Sequence, residues 1–286
     1  PFELSLLLAG VGNSANAAVA ASRLGLSSAL MATIGEDEDG KKITEYFEQE
    51  NIDTTHITKA PGKKTNHHYV LWYESERTIL VKPEPYDYRF PDTIEAPKAI
   101  YLSSLGDTNA TYYEDIARFA ANNPSTFLTF QPGTFQMKMG VDALRPIYER
   151  ADLLVVNKEE AGRILGVTGK EIPELLANLF ALGPKRVIIT DNRNGAYTFD
   201  GTTSYKVPMY PDDRDPVERT GAGDAFASSI TSAIAIGKSF EEALLWGPIN
   251  SMSVVQYIGA QRGLLSREKL EEYISNAPSS YTLEKM

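Results

Sequence analysis

Short apolar runs alternate along the chain with longer segments in which apolar residues recur every three or four positions. The short runs are typical of buried strands, and the longer segments are typical of amphipathic helices. The predicted strands cover residues 4–9, 28–34, 99–105, 126–130, 153–157 and 186–190, and the predicted helices cover residues 13–24, 41–50, 111–122, 158–165 and 173–182. Strands alternating with helices favour an α/β fold with a mostly parallel central sheet flanked by helices.

Residues 65–88 interrupt this alternation. Two strand-like runs, 68–73 and 78–82, flank a polar turn and predict a β-hairpin. The segment carries an unusual aromatic load in Tyr69, Trp72, Tyr73 and Tyr86. We therefore expect one domain over residues 1–286 with a small β lid. Closer to the C-terminus, the pattern predicts a second hairpin and three closing helices, at 196–199 with 203–207, 222–236, 240–256 and 267–274.

Composition and charge restrict the class of function. The chain has 286 residues, of which 42% are hydrophobic and 23% charged, as in ordinary soluble proteins. A net charge of −10 argues against nucleic-acid and anionic-membrane surfaces. The lack of cysteine excludes disulfides, zinc–thiolate sites and cysteine nucleophiles. With no signal peptide and no apolar run of about 20 residues, we expect a cytoplasmic protein without nucleic-acid or membrane partners.

The most specific segment opens the predicted helix at residue 222. Gly221 and Gly223 let the backbone turn sharply and leave N–H groups unpaired at the positive end of a helix. Such an end binds anions, above all phosphate. Asp224 would suit this position if it accepts a proton from a hydroxyl that attacks the phosphate. On the residues alone, an ordinary capped helix start explains the segment equally well.

The string Thr220-Gly221-Ala222-Gly223-Asp224 resembles the second signature of the ribokinase family, also called the PfkB carbohydrate kinases, usually written D-T-T-G-A-G-D. This resemblance implies an ATP-dependent phosphotransferase that phosphorylates a hydroxyl of a small sugar or sugar-like substrate. Asp224 would be the general base, and Gly221, Ala222 and Gly223 would form the anion hole. A nucleoside kinase of the same family is the alternative.

Two further segments match this family in the right order. Asn157 and Glu160 fit its N-x-x-E motif, which holds hydrated Mg²⁺ and the triphosphate there. Spaced three apart at a helix start, they share a face, and an ordinary capped helix start also explains them. Gly12, Asn13 and Asn16 resemble the first signature, whose glycine turn and Asn contact sugar hydroxyls. Asn16 would equally suit a satisfied amide in the core.

Weaker matches correspond to the nucleotide-binding residues of the family. Together, the matching segments extend over about residues 5–274. Thr190, Asn192 and Gly195 stand where the family has T-x-G-x-x-G, although Asn192 replaces a glycine. Gly259 fits the G-A motif that closes the adenine pocket, and we expect Asn250 along the same wall.

Departures from the family pattern modify these expectations. Glu218-Arg219 replaces an Asp-Thr pair whose Asp contributes to a monovalent-cation site in many relatives, so we do not expect potassium activation. No Glu occurs around Leu105 and Gly106, where ribokinase has a sugar contact, which disfavours ribose. The family's first strand, with its substrate-binding Asp, has no counterpart before Pro1, and we expect that strand to be absent from this sequence. Lids of the family often pair, which implies a homodimer through residues 65–88.

A competing interpretation starts from residues 10–15. They satisfy the dinucleotide fingerprint G-x-G-x-x-A, and Glu36 stands about where a ribose-binding acid would be. An NAD(P)-binding oxidoreductase is therefore a more remote alternative, although the hairpin replaces its expected third strand. A catalytically inactive scaffold is a third hypothesis, but such a chain should have lost Asp224 or the anion-hole glycines.

Overall fold

The computed structural model describes residues 10–73, 76–91, 93–106, 110–212 and 214–286, and it describes the backbone alone for residues 70, 72–73, 76–79 and 81–82. The predicted first strand, residues 4–9, lies outside these ranges. The N-terminal part contains two helices and six strands: α1 (Asn13–Arg23), β1 (Ser28–Ala29), β2 (Ala32–Gly35), α2 (Glu38–Gln49), β3 (Ile52–Asp53), β4 (Ile57–Ala60), β5 (His67–Tyr73) and β6 (Glu76–Lys82).

The strands of this part form three separate pairs. β1 pairs with β3 and β2 pairs with β4, both in parallel. The prediction of one strand over residues 28–34 is therefore wrong, because the chain passes from one pair to another at Leu30, whose side chain is buried against Phe47 and Ile52. The hairpin is confirmed, since β5 and β6 run antiparallel from the pair His67–Lys82 to the pair Tyr73–Glu76.

A seven-stranded central sheet forms the rest of the framework, in the order β13-β12-β11-β10-β9-β8-β7. Its strands are β7 (Ala99–Leu102), β8 (Phe127–Phe130), β9 (Leu153–Asn157), β10 (Val187–Thr190), β11 (Ala196–Phe199), β12 (Ser204–Val207) and β13 (Glu284–Lys285). β7 to β10 are parallel, whereas β11 to β13 continue the sheet antiparallel. The predicted α/β fold class is confirmed.

Helices connect the parallel strands and close the chain. They are α3 (Ala110–Asn122), α4 (Thr134–Met139), α5 (Val141–Arg150), α6 (Lys158–Leu165), α7 (Ile172–Phe180), α8 (Ala222–Ala235), α9 (Phe240–Val254) and α10 (Arg267–Ser275). The sequence pattern predicted neither α4 nor α5. In the part of the chain that the structure describes, no helix combines the length and apolar character needed to cross a bilayer.

The sheet separates two apolar clusters, and α8 lies in one of them. α3, α5 and α7 cover one face, and α8, α9 and α10 cover the other. In α8, all ten consecutive residues from Asp224 to Ala233 are buried, because α9 and α1 pack against it. The strands β7 to β10 present their carboxyl ends at one sheet edge, which is where α/β proteins bind ligands.

Candidate active site

Asp224 lies where α8 meets α1, and it is held by two amides of α1. Asn16 Nδ2 donates to Asp224 Oδ2 at 2.7 Å, and Asn13 Nδ2 donates to Oδ1 at 3.0 Å. The predicted base and two of the predicted substrate residues therefore come together. Asn16 and Asp224 are buried, at 3% and 8% exposure, while Asn13 is half-buried. Gly12 has open space where a side chain would stand, so a ligand can approach its backbone.

Two opposing influences act on the acidity of Asp224. Burial raises the pKa of its carboxyl, and the hydrogen bonds from Asn16 and Asn13 lower it. Desolvation disfavours a buried carboxylate, whereas amide donors favour the charged form. A carboxylate balanced in this way has the raised proton affinity of a general base.

The start of α8 forms a turn with free donors. Gly221 has φ +81°, and a Cβ there would stand 2.5 Å from the Cβ of Ala260, so only glycine fits. The N–H groups of Gly221, Gly223 and Asp224 make no hydrogen bond to the described residues. Thr220 Oγ1 is buried and likewise has no partner among them. Unpaired donors at a helix N-terminus are suited to phosphate oxygens.

Asn157 and Glu160 form a capping box at the start of α6. Asn157 Oδ1 accepts from the Glu160 N–H, and Glu160 Oε2 accepts from the Asn157 N–H, each at 2.8 Å. Burial, opposed by that backbone bond and reinforced by the charge of Asp224, raises the pKa of Glu160. Glu160 Oε1 has no hydrogen-bond partner among the described residues and remains free for a ligand. The capped helix start and the metal-binding interpretation are therefore compatible.

Magnesium suits this set of donors. The described residues contain no cluster of three or more His, Asp or Glu side chains that could hold a metal ion by itself. Mg²⁺ normally binds one or two carboxylates together with water and substrate phosphates. A half-buried carboxylate with one free oxygen, facing the charge of Asp224 across the site, matches this requirement.

The predicted nucleotide residues lie along the next strand and its turn. Thr190 pairs directly with Asn157 across β9 and β10, which places the two motifs side by side. Asn192 has φ +49°, and Asn is one of the few residues other than glycine that tolerate this conformation. This explains how Asn replaces the family's glycine. At Gly195, a Cβ would stand 2.3 Å from the carbonyl oxygen of Val207.

The two remaining residues that were predicted to contact the nucleotide have different surroundings. Gly259 donates its N–H to Glu218 Oε2 at 2.8 Å and has φ +93°. Asn250 is completely buried, where it donates to Ser229 Oγ at 2.8 Å and accepts from the Leu265 N–H at 3.0 Å. These two contacts of Asn250 are internal, and its place on a nucleotide wall stays a prediction.

The sequence did not reveal the residues that support Asn16. Gln261 Nε2 donates to Asn16 Oδ1 at 2.9 Å, and Tyr46 donates its hydroxyl to Gln261 Oε1 at 2.6 Å. Arg23 forms a bidentate ion pair with Glu50 and also donates to the Gln261 carbonyl at 2.7 Å. Because Asn16 Oδ1 accepts from Gln261, its Nδ2 must face Asp224. The only sequence signal was the position of Gln261 directly after the Gly259-Ala260 motif.

A cavity of about 160 Å³ lies beside β2 and β4. Met31 and Thr33 from the β2 region, His56, Tyr88 and Leu105 contribute to its wall. Leu105 belongs to the stretch where the family resemblance places a sugar contact. The hydroxyl groups of Ser14 and Ser103 lie 2.6 Å apart and join this region to α1.

Comparison with known proteins agrees with this fold. The model of the pfkB family of carbohydrate kinases matches residues 9–267. A ribokinase of Bacillus subtilis is 24% identical over 272 residues, which cover 92% of this chain and 87% of the relative. The structure of Arabidopsis thaliana ribokinase complexed with ribose and ATP has a TM-score of 0.81 and 21% identity, covering 92% of this chain and 87% of that one. A nucleoside kinase of Methanocaldococcus jannaschii has a TM-score of 0.76 and 20% identity, covering 93% and 86%.

The chain belongs to the PfkB family of carbohydrate kinases, because the family model spans most of its length. It is a carbohydrate kinase, a phosphotransferase with ATP as phosphoryl donor and an alcohol group as acceptor. Among the described residues, β1 to β4 form two separate strand pairs. The match of the pfkB family model to residues 9–267 favours a kinase over a dinucleotide-binding turn at residues 10–15.

Proposed function

We propose that this kinase phosphorylates a hydroxyl of a small sugar or sugar-like substrate with Asp224 as the general base. The observation that carries the proposal is one helical turn that combines a buried carboxylate with free backbone donors. Asp224 accepts the proton of the attacking hydroxyl, while the N–H groups of residues 221–224 stabilise charge on the transferring phosphoryl group.

Asn157 and Glu160 would hold magnesium, in part through water, and Thr190, Asn192, Gly195 and Gly259 would line the nucleotide side. The metal would neutralise charge on the phosphates when it is bound. Glu160 is the stronger candidate of the pair, because it keeps one carboxylate oxygen free. Thr220 Oγ1 and the free N–H groups of the same turn support a triphosphate here, since they otherwise lack partners.

The acceptor would lie between residues 12–16, the lid of residues 65–88 and Asp224, in one kinase domain. Closure of the lid would exclude water and limit wasteful hydrolysis of ATP. The lid is tied to α2 at its base. Thr65 donates its N–H to Asp37 Oδ2 at 2.9 Å and its hydroxyl to Oδ1 at 2.6 Å. This contact anchors the base of the lid to the N-cap residue of α2.

We also propose a homodimer through the lid. Tyr69, Leu71 and Leu80 are exposed at 67%, 56% and 51%. They share one face of the hairpin, because Tyr69 pairs with Leu80 and Leu71 lies two residues along the same strand. Tyr86 does not belong to this face, since it is buried and donates its hydroxyl to the Lys64 carbonyl. The side chains of Trp72 and Tyr73 lie outside the described part.

Two measurements test the proposed function. Mg·ATP or Mg·ADP should raise the melting temperature, since a ligand of the native state stabilises it, whereas NAD should not. A panel of sugars, sugar phosphates and nucleosides, assayed by ATP consumption, should then identify the acceptor class. Stabilisation by NAD alone would contradict the proposal, and a strong preference for nucleosides would favour the nucleoside-kinase alternative.

A further inference from the structure

Next to the start of α8, a tyrosine and a glutamine from neighbouring strands meet. Tyr101 lies in β7, and Gln131 directly follows β8. The hydroxyl of Tyr101 donates a hydrogen bond to Gln131 Oε1. Burial, followed by the charges of Asp224 and Glu160, raises the pKa of Tyr101 well above its ordinary value. The hydroxyl therefore keeps its proton, and Gln131 Oε1 stays engaged as an acceptor.

The other end of the Gln131 amide faces the anion hole. Nε2 lies 3.6 Å from the point where a Cβ would stand on Gly223. It has no hydrogen-bond partner among the described residues. A glutamine amide has an acceptor oxygen and a donor nitrogen, and here the oxygen is engaged while the nitrogen is available. Gln131 thus presents an unused donor beside the free N–H groups of Gly223 and Asp224.

We propose that Gln131 is a further catalytic residue, which donates from Nε2 to a non-bridging oxygen of the transferring phosphoryl group, and that Tyr101 is the positioning residue that orients it. The inference rests on the proposed function. In that step, the acceptor oxygen bonds to the γ-phosphorus as the bond to the β–γ bridging oxygen breaks. That oxygen leaves on ADP with the electron pair, and the hydroxyl proton passes to Asp224. A fixed donor stabilises the charge that develops.

An amide fits this position better than a carboxylate would. Asp224 and Glu160 already act electrostatically on Tyr101, so two negative charges surround the pair. A third would repel the phosphates. The amide nitrogen carries only hydrogen-bond donors and cannot serve as a metal ligand. The geometry therefore assigns Gln131 to the phosphoryl group and not to the metal.

Binding of a transition-state analogue tests this role without knowledge of the acceptor. The probes are Mg·ADP alone and Mg·ADP with fluoroaluminate, measured by calorimetry on the full chain. Gln131→Met keeps the length of the side chain but removes the donor. We expect it to weaken the fluoroaluminate complex by roughly 10²-fold, the order found for one oxyanion-hole donor. Binding of Mg·ADP alone should stay within about twofold. Gln49→Met, at the exposed end of α2, is the matched control and should change neither.

Two variants separate the roles of the pair. Tyr101→Phe leaves the donor in place but frees it to turn, so the loss should be smaller, roughly 3- to 10-fold. In the Gln131→Met background, Tyr101→Phe should have no further effect on kcat or on the fluoroaluminate complex. Gln131→Glu should lower kcat while the KM for ATP changes less. If Gln131→Glu keeps or raises the activity and reaches half-maximal activity at a lower Mg²⁺ concentration, residue 131 is a metal ligand and the proposal is overturned.

The failure of this inference differs from the failure of the proposed function. A parent chain that binds neither Mg·ADP nor the fluoroaluminate complex contradicts the kinase site itself. A parent that binds both, with Gln131→Met binding both equally well, overturns only the role of Gln131. If Gln131→Met lowers the melting temperature too far for calorimetry, Gln131→Leu, which is uncharged and also lacks the donor, supplies the same comparison.

Discussion

The side-chain nitrogen of Asn16 lies 2.7 Å from Oδ2 of Asp224, although 208 positions separate the two residues. The contact joins the first signature of the chain to its second, at the junction of α1 and α8. It leaves each oxygen of the carboxylate with one amide donor, Asn16 on Oδ2 and Asn13 on Oδ1. The carboxylate is therefore held at a fixed orientation before any substrate binds.

Asp224→Asn is expected to lower kcat by roughly 10²–10⁴-fold, the usual contribution of a general base. The new amide has the same shape but cannot take up the hydroxyl proton. Mg·ADP binding, measured by calorimetry, should be unchanged. Asp142→Asn replaces an exposed carboxylate of α5 and serves as control. Turnover within about twofold of the parent would remove Asp224 from the mechanism.

Asn16→Leu is expected to move the acid limb of the kcat/KM profile to higher pH. The hydrogen bond from Asn16 lowers the pKa of Asp224 against the effect of burial, so its loss lets that pKa rise. Gln261→Leu should shift the limb in the same direction by less, because Asn16 remains but is no longer held. Glu160 and Tyr101 interact electrostatically with Asp224, so both are kept unchanged in every variant. An acid limb that stays in place in Asn16→Leu contradicts the assignment.

Activity is expected not to depend on potassium. The Glu218 carboxylate already links the anion-hole loop to Gly259 at 2.8 Å. Rates in potassium and in tetramethylammonium salts of equal ionic strength should agree. Clear stimulation of the parent by potassium would refute this expectation.

Glu218→Ala leaves the Gly259 N–H unpaired and should raise the KM for ATP by roughly tenfold. Glu241→Ala, in the first turn of α9, is the control and should not change this KM.

Stability should fall in acid as Asp37 is protonated. Hydrogen bonds from Thr65, and then from the Gly40 N–H, lower the pKa of Asp37 to about 2 from its ordinary 3.8. A carboxyl whose pKa is lower in the folded state stabilises the fold above the unfolded pKa, and this contribution disappears as pH falls from about 4 towards 2. Asp37→Asn should therefore be less stable at neutral pH and should lack this part of the acid loss.

Chemical denaturation across that pH range measures the effect. Asp87→Asn, which alters an exposed ion pair with Arg89, is the control and should follow the parent. Equal stability of Asp37→Asn and the parent at neutral pH would show that the Thr65 contact contributes nothing to the fold.

A charge on the apolar lid face should dissociate the dimer. Tyr69→Glu and Leu80→Glu place like charges at a paired position of one face. Light scattering at micromolar concentration should show a dimer for the parent and a monomer for both variants, because a buried unpaired charge is costly. His68→Glu lies on the opposite face and should leave the mass unchanged. A monomeric parent, or dimers in all three variants, contradicts a dimer through the lid.

Local signals in the sequence were sufficient for the framework. The buried runs at 153–157 and 186–190 correspond to β9 and β10, and the spacing of Asn157 and Glu160 gave the start of α6. Helices α4 and α5 were missed because Gly133, Gly140 and Pro146 interrupt the pattern. The interior of α5 tolerates Pro146 only because the rest of the helix packs on α3 and β8.

No local pattern in the sequence predicts the residues that support the site. Gln261 contacts Asn16 across 245 positions and Tyr46 across 215, and no single-sequence motif encodes such pairs. Gln131 did leave a signal, since it is a polar residue directly after a buried strand. Ligands bind at the carboxyl ends of parallel strands, and this rule could have indicated Gln131.

The loop of residues 259–261 touches both halves of the site. Gly259 is bound to Glu218, Ala260 packs against Gly221, and Gln261 holds Asn16, whose amide donates to the proposed base Asp224. A nucleotide that orders this loop consequently orders the acceptor side as well. Thermodynamic linkage requires the reverse effect to be equal, so each substrate should tighten the binding of the other by the same factor. We therefore expect the kinase to bind its two substrates cooperatively within one subunit.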